Sequence, residues 1–356
     1  MRGAAAVQGL TRIYGRTITA LIWSLAAVWV LALIVVPQLF MVERSLWSKE
    51  RPADAFEITQ AIDRLYNDVT LWQMDLRALG EGQAADRAGL EARIAEAQAE
   101  IARLEELESD PPKVYGLQNY TRMSGLHFQI FIKTIGYAAL VTLLSLAVCY
   151  PIAYTVAQLA TPHSAALLLL GLIVPYAINE LLRVYAWLMI LDYQGVLNTF
   201  LSWLGLVDFE RRTWVPFLEY PGSVFVALVY AYVLFMVFPI YNTMQTLDRN
   251  QIEAARDLGA PGWRTHWRVV IPHAKPGIAV GCVRTFMLAA GSYALPLVMT
   301  RGRSGDWFSQ LIYRQFFESF NWNTGAAYSF SLLLVCIAFI FLMMALFRVG
   351  IRDIAK

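Results

Sequence analysis

Glu253–Pro272, EAARDLGAPGWRTHWRVVIP, is the stretch on which the reading of this chain turns. It is charged and interrupted by glycine, and it lies between two long apolar runs, Ser223–Tyr241 before it and Gly277–Met299 after it. A segment this short, polar and basic beside a membrane suits the docking of a soluble partner. Ala254 and Ala255 are small enough to let a helix face approach another protein closely. Glu253 falls near a helix start, where negative charge is favoured and an arginine of a partner can reach it. Gly259 permits the positive φ that ends a helix, and Pro272 is expected to stop a second helical element before the next apolar run. Helix-in-groove recognition is the matching binding mode.

The flanking runs belong to a series. The chain has 356 residues, is 58% hydrophobic and has a mean hydropathy of +0.48, too apolar for a soluble domain of this size. About 20 apolar residues cross the hydrocarbon core as a helix. Six segments qualify: Ile18–Val42, Thr134–Leu159, Ala165–Leu191, Ser223–Tyr241, Gly277–Met299 and Ala326–Phe347. The first is too long and too late for a cleaved signal peptide, and no small-residue cleavage site follows it. Cys149, Cys282 and Cys336 fall inside apolar segments and read as small buried hydrophobes. His266 and His273 lack the further ligands that a metal would need, so no metal or other cofactor is expected.

A net charge of +2 carries no nucleic-acid signal; its division among the loops is what matters. Arg2, Arg12 and Arg16, then Arg249, Arg256, Arg264, Arg268 and Lys275, then Arg348, Arg352 and Lys356 fall in three segments that six spans place on one side. The excess of Lys and Arg makes that side cytoplasmic, with both termini inside; Arg301 and Arg303 argue mildly the other way. The expected plan is an N-terminus over 1–17, outer segments over 43–127, 192–222 and 300–325, a cytoplasmic loop over 244–276 and a tail over 348–356.

The first outer segment, Glu43–His127, is unlike the rest. Ile58, Ile62, Leu65, Val69, Trp72, Leu76 and Leu79 repeat at spacings of four and three, the seam of a coiled coil. Gly80 and Gly82 interrupt it, Leu90, Ile94, Ala97, Ile101 and Leu104 resume it, and Pro111-Pro112 ends it. Each seam needs a partner, which predicts an antiparallel helical hairpin over about 54–109 with a first arm roughly 30–40 Å long. Acidic residues outnumber basic ones, as suits a solvated element. It is either a contact arm for an external partner or an insertion that packs only on the outer loops.

EAA at Glu253, Gly259 and Ile271-Pro272 at this spacing resemble the "EAA loop" of binding-protein-dependent ABC importer permeases. The likeness extends to Tyr150-Pro151-Ile152-Ala153-Tyr154, to Leu182–Trp187 with Gly195, Asn198 and Leu201, and to Leu228–Tyr230 through Phe235–Tyr241 into Leu247-Asp248. Gln315-Phe316 and Trp322 with Gly325-Ala326-Ala327 continue it. These are similar to spermidine/putrescine permeases from about Leu117 to Phe347; the first span fits by position only, and residues 52–112 have no counterpart. The resemblance implies an all-α membrane protein of six transmembrane helices with the type I ABC importer permease (MetI-like) fold, here carrying an inserted coiled-coil hairpin. It also implies that Glu253, Ala254, Ala255, Gly259, Ala260, His266, Trp267, Ile271 and Pro272 form a helix–turn–helix seated in a groove of a cytoplasmic ATPase. Two positions depart from the pattern. His266 stands where the family usually carries an aromatic that packs into that groove, with Trp267 able to take over by a small rotation. Ser292 stands where some polyamine permeases carry an acidic residue.

Ionisable residues inside a span usually face a cavity or pair with each other. Glu180 and Arg183 are three apart on one helix, so they either neutralise each other near the outer interface or line a path. Arg284 follows Pro276 closely enough to snorkel instead. If all three faced the cavity, the charge of +1 would suit a zwitterion or anion better than a polyamine. Tyr185, Trp187, Tyr230 and Tyr293 join the candidate path, where an aromatic face can stack on an amine; interfacial anchoring is the plainer role for most of the aromatics. No G-x-x-x-x-G-K-[ST] phosphate loop occurs, so the chain is expected not to be an enzyme and to leave ATP hydrolysis to another subunit. The resulting expectation is a permease subunit in a bacterial inner membrane, moving a polyamine-like solute by alternating access. Its partners would be an ABC ATPase dimer, an external substrate-binding protein, the lipid bilayer and, by resemblance, a second permease; nucleic acid is not among them. The alternatives are an importer of a zwitterionic or anionic solute, a receptor or scaffold with a coiled-coil sensor arm, and an ion- or proton-driven transporter. The last should show inverted repeats and a broken helix, and the sequence displays neither.

Overall fold

The computed structural model describes residues 2–49, 55–78, 84–109, 113–211, 213–300 and 307–350. They divide into two units, Met1–Arg122 and Met123–Lys356.

In the first unit α1 (Arg2–Val30) passes through a π-turn, Leu31–Val35, into α2 (Val36–Ser45). Gly15 departs from helical geometry at φ 78°. The stretch Thr11–Ser45 is apolar and long enough to cross a membrane. Beyond it β1 (Trp47–Lys49) pairs antiparallel with β2 (Lys113–Tyr115), Trp47 opposite Tyr115. Asn119 follows β2, and its amide Nδ2 donates to the carbonyls of Ser45 at 2.9 Å and Trp47 at 2.8 Å. Between the strands in sequence lie α3 (Ala55–Ala78) and α4 (Ala84–Ser109). Tyr66 donates to Glu105 at 2.8 Å, and the Arg93 guanidinium lies over the Trp72 ring, so the two helices run antiparallel. Glu105 also raises the Tyr66 pKa, first through that hydrogen bond and then through its charge. Val69, Ile94, Ala97 and Ile101 are buried against Leu65, Trp72 and Leu76, all of them residues of the predicted seam. With 24 residues, α3 is about 36 Å long. Pro52, Leu79, Gly80, Gly82, Pro111 and Pro112, along with Arg301, Arg303, Arg352 and Lys356 of the orientation argument, lie outside the described residues.

A short α5 (Gln118–Thr121) ends the first unit, and α6 (Gly125–Tyr154) opens the second. The Ser124 hydroxyl caps α6 by accepting from the His127 N–H. A π-turn, Thr155–Leu159, closes it. Next come α7 (Pro162–Ile173), a 3₁₀ turn over Val174–Ala177, α8 (Glu180–Leu191) and α9 (Val196–Trp203). After these follow α10 (Pro221–Met244), α11 (Arg249–Asp257) and α12 (Gly262–Thr265). A π-turn, His266–Val270, carries α12 into α13 (Ile271–Gly291). The unit ends with α14 (Ala294–Thr300), α15 (Phe308–Phe317) and α16 (Trp322–Phe347).

Among the described residues, four helical stretches are long and apolar enough to cross a membrane: Thr11–Ser45, Gly125–Leu159, Pro221–Met244 and Trp322–Phe347. Two bent pairs bring the number to six if each is one span. The third predicted span is therefore not a single helix. Its halves, Pro162–Ala177 and Glu180–Trp203, meet at 98°. Pro175 supplies no N–H to continue α7, and the Asn179 side chain accepts from the Leu181 N–H and starts a new helix. The broken helix that the sequence did not display is thus present. The fifth span bends by 56° beyond Gly291. Pro272 does not stop its element either, because helix runs unbroken from Gly262 to Gly291. The preceding π-turn bonds the Ile271 N–H to the His266 carbonyl, five residues back. That wider turn absorbs the carbonyl against which a proline ring would otherwise clash.

The centre of the second unit is the packing of α6, α10 and α13. Gly277 and Gly281 let α13 approach α10 closely: a Cβ at Gly277 would strike the Pro239 carbonyl and the Thr243 hydroxyl, and one at Gly281 would meet the Met236 sulfur at 2.8 Å. Small residues four apart at a helix crossing are the means by which membrane helices gain close contact. Cys149, Cys282 and Cys336 are buried and unbridged within this packing. Gly277→Val should overpack the crossing and cost about 1–3 kcal/mol. The expected readout is a lowered melting temperature of the purified protein in detergent, and an unchanged one would contradict the close crossing.

Candidate coupling segment and membrane cavity

Between α10 and α13 the chain builds the helix–turn–helix expected of Glu253–Pro272. Asp248 caps α11 by accepting from the Asn250 N–H. At the other end the Gly259 N–H bonds to the Arg256 carbonyl at 2.8 Å and the Ala260 N–H to the Ala255 carbonyl at 3.1 Å. Gly259 has φ 76°. This is the Schellman closure, and it needs the backbone freedom of glycine at that position. Ile252 turns inward, with Leu247 and Val270, against the ends of α6 and α10. Glu253 and Ala254 are exposed, Ala255 and Ala260 half-buried, Ile271 half-buried and Pro272 exposed. Glu253 pairs with Arg249 at 3.2 Å; an exposed pair of this kind adds little stability and leaves the carboxylate available.

Around the bend, large apolar side chains face outward: Leu258 is 88% exposed, Trp263 64% and Trp267 66%. Trp263 and Trp267 are four apart and so share one helix face. A contiguous apolar surface of this kind marks an interaction site. Trp267 was expected there; Leu258 and Trp263 were missed, although the four-residue spacing of the tryptophans was a usable signal. His266 takes a different place from the one implied by resemblance. It turns inward, its Nδ1 2.7 Å from the Tyr150 hydroxyl and its ring edge-on to Tyr154 at 4.5 Å. The hydroxyl offers this ring a hydrogen bond, which an outward orientation would give up.

Between the middle of α10 and the C-terminal end of α13 lies a cavity of about 490 Å³. The break in the third span contributes Tyr176, Glu180 and Arg183 to its wall, α10 contributes Tyr232 and Phe235, and the break after α13 contributes Ser292 and Tyr293. Tyr176 pins the 3₁₀ turn to α10: its hydroxyl donates to the Ala231 carbonyl and accepts from the Leu234 N–H. Glu180 occupies the first turn of α8, where the helix N-terminus favours a carboxylate. Arg183 turns to the Tyr176 ring, 4.5 Å from its centroid, and no ion pair joins it to Glu180. Its Nε and Nη1 are buried without a hydrogen-bond partner. The cavity thus offers an exposed carboxylate, a guanidinium with two unpartnered nitrogens and several aromatic faces.

Of the residues placed on the path from sequence, Glu180, Arg183 and Tyr293 line this cavity. Tyr185 is exposed elsewhere on α8, and Trp187 and Tyr230 pack on each other with ring centroids 5.4 Å apart. Arg284 is exposed on α13, one turn before Met287, which does line the cavity. Tyr232, Phe235, Met287 and Ser292 were not among the predicted path residues. Among the described residues no group of three His, Cys, Asp or Glu side chains is placed to hold a metal ion.

The profile of the binding-protein-dependent transport system inner membrane component matches residues 153–355. The spermidine/putrescine transport system permease protein PotB of Escherichia coli (strain K12) is 38% identical over 224 residues, covering 62% of this chain and 79% of that protein. PotB of Salmonella typhimurium (strain SL1344) is 36% identical over 223 residues, covering 62% and 76%. Among solved structures, a chain of a bacterial ABC transporter involved in the import of the acidic polysaccharide alginate superposes with a TM-score of 0.53 at 18% identity, over 80% of this chain and 98% of that one. That likeness speaks for the fold alone. The profile match, which spans more than half the chain and includes both the bent segment and the cavity, makes this protein a member of the family of binding-protein-dependent transport system inner-membrane components.

Proposed function

We propose that the chain is the membrane-spanning permease subunit of an ATP-driven importer for a small amine-bearing solute of the spermidine/putrescine kind. The single observation that carries the coupling role is the outward apolar surface of Leu258, Trp263 and Trp267 around the Gly259 bend. A cytoplasmic ATPase dimer docks there through Glu253, Ala254, Ala255, Gly259, Ala260 and Trp267, and hydrolyses ATP itself. Six spans, counting each bent pair as one, keep both termini and the 244–276 loop inside. The cavity between the two broken helices is the solute site, where Glu180 and the aromatic walls meet an amine. A charged side chain on an exposed membrane-helix face needs water or protein rather than lipid. Arg284 therefore supports placing that face of α13 on a path shared with a second, different permease. A loaded binding protein docks on the outer side, and its preference for one state of the pore supplies the driving difference. The α3–α4 hairpin, a coiled-coil arm in this reading, contacts that binding protein.

The two PotB relatives share the amine reading by name. One observation favours a second solute class. The buried Nε and Nη1 of Arg183 would be satisfied by an anionic group, which a zwitterion carries and a polyamine lacks.

Three outcomes are expected from the transporter reconstituted with its ATPase and binding protein. Trp263→Ala with Trp267→Ala should weaken ATPase association by about 30-fold or more, the scale of a buried aromatic hot spot; unchanged binding in a titration would contradict the docking surface. Glu180→Gln should lower uptake of a polyamine by about tenfold while sparing a purely anionic solute, and equal uptake of both would remove Glu180 from the site. Replacing Pro52–Pro112 by a short turn should weaken binding-protein affinity, and an unaltered dissociation constant would leave the hairpin as an insertion without contact function.

A further inference from the structure

Two of the π-turns, Thr155–Leu159 and His266–Val270, contribute side chains to one packed cluster, through Ala157 on one and Val269 and Val270 on the other. A π-turn carries one residue more than the α-helical ladder, with poorer hydrogen-bond geometry, and such turns recur at functional sites. Tyr154 immediately precedes the first, and His266 opens the second. Tyr150 and His266, 116 residues apart in sequence, are joined by the 2.7 Å hydrogen bond, and Tyr154 packs edge-on against the same imidazole at 4.5 Å. Inside the first π-turn, Gln158 Nε2 donates to the Met244 carbonyl at 2.6 Å and the Leu247 carbonyl at 3.2 Å, where α10 gives way to the coupling segment.

The segment therefore touches α6 and the π-turn that closes it through three directional hydrogen bonds, from Tyr150 and Gln158, set in an apolar surround of Ile252, Val270 and Met244. Apolar side chains alone can slide past one another, whereas a hydrogen bond in a low-dielectric setting holds a fixed register. The helix that bears Trp263 and Trp267 outward bears His266 inward within the same turn. A push on the tryptophans thus arrives at the imidazole with no intervening loop to absorb it.

We propose that the Tyr150–His266 hydrogen bond is a positioning link that delivers displacement of the coupling segment to α6, with the two π-turns as compliant joints on either side. The inference rests on the reading of residues 244–276 as an ATPase-docking loop, and it adds the element that receives the motion and the atoms that transmit it.

The test uses the complete transporter in proteoliposomes, measuring ATP hydrolysis and solute uptake in one preparation. Tyr150→Phe and His266→Phe each remove the bond and keep a ring in place, and uptake per ATP hydrolysed should fall about three- to tenfold, the worth of one partly buried hydrogen bond. His266→Asn places an amide oxygen near the Nδ1 position and should restore most of the ratio. The double variant Tyr150→Phe/His266→Phe should be no worse than either single one, since both delete the same interaction. A merely structural contact would lower the melting temperature and leave the ratio unmoved. Unchanged uptake per ATP in Tyr150→Phe, or losses that multiply in the double variant, overturns the link while leaving the docking loop standing. If Tyr150→Phe does not fold, equal ratios in His266→Phe and His266→Asn overturn it just as well. Failure of the ATPase to co-purify with the unaltered protein overturns the docking reading and this inference together.

Discussion

The close crossing of α10 and α13 governs the second unit. Where Gly277 and Gly281 remove side chains, the two backbones come near enough for Pro239 and Met236 to fill the gap. In lipid there is no hydrophobic gain from bringing helices together, so contact of this intimacy is a principal source of association. The same two helices flank the outward bend, and the middle of α10 with the far end of α13 walls the cavity. Any rotation of one against the other must change both places at once, because the packing between them leaves no room for independent movement.

The irregular backbone is distributed in keeping with that arrangement. Hydrocarbon cannot satisfy a free N–H or C=O, so non-helical backbone at membrane depth persists only where protein or water covers it. The break ahead of Glu180 and the break at Ser292-Tyr293 open onto the same cavity. Each is held by side chains: Asn179 caps one restarted helix, and the Ser309 hydroxyl bonds to the Ser292 carbonyl at 2.6 Å. In α10 and α16, by contrast, helix continues without interruption.

Much of this was legible in the residues. Apolar length marked four long helical stretches outright and, less directly, the two bent pairs, because about twenty mostly apolar residues in a row have few other uses. The seam from Leu65 to Leu76 and from Ile94 to Ile101 picked out the sides of α3 and α4 that bury each other, since the four–three spacing leaves one face free of charge. Gly259 stood out because only a positive φ explains a glycine at that point of the bend. What escaped were features set by a neighbour rather than by the local chain. Pro175 and Pro272 look alike in sequence, yet one accompanies a break and the other lies within a continuing helix, as Pro151 and Pro239 also do. His266 and Trp263 could each have faced outward; the hydroxyl of Tyr150, far away in sequence, settles which one turns in. The cavity aromatics carry no periodic mark that separates them from interfacial anchors, so Tyr232 and Phe235 became recognisable only once α8 was seen to bend across α10.

The short ladder between β1 and β2 decouples the length of the arm from the chain on either side of it. Because Trp47 stands opposite Tyr115 and the Gly116 N–H bonds to the Leu46 carbonyl at 2.7 Å, the chain leaves for the arm and comes back at neighbouring points. Closing a longer excursion from such a gate costs only about 0.6 kcal/mol for each doubling of its length. A longer or shorter arm is therefore a small entropic matter for the residues on either side of the ladder, which stay paired whatever the length between them.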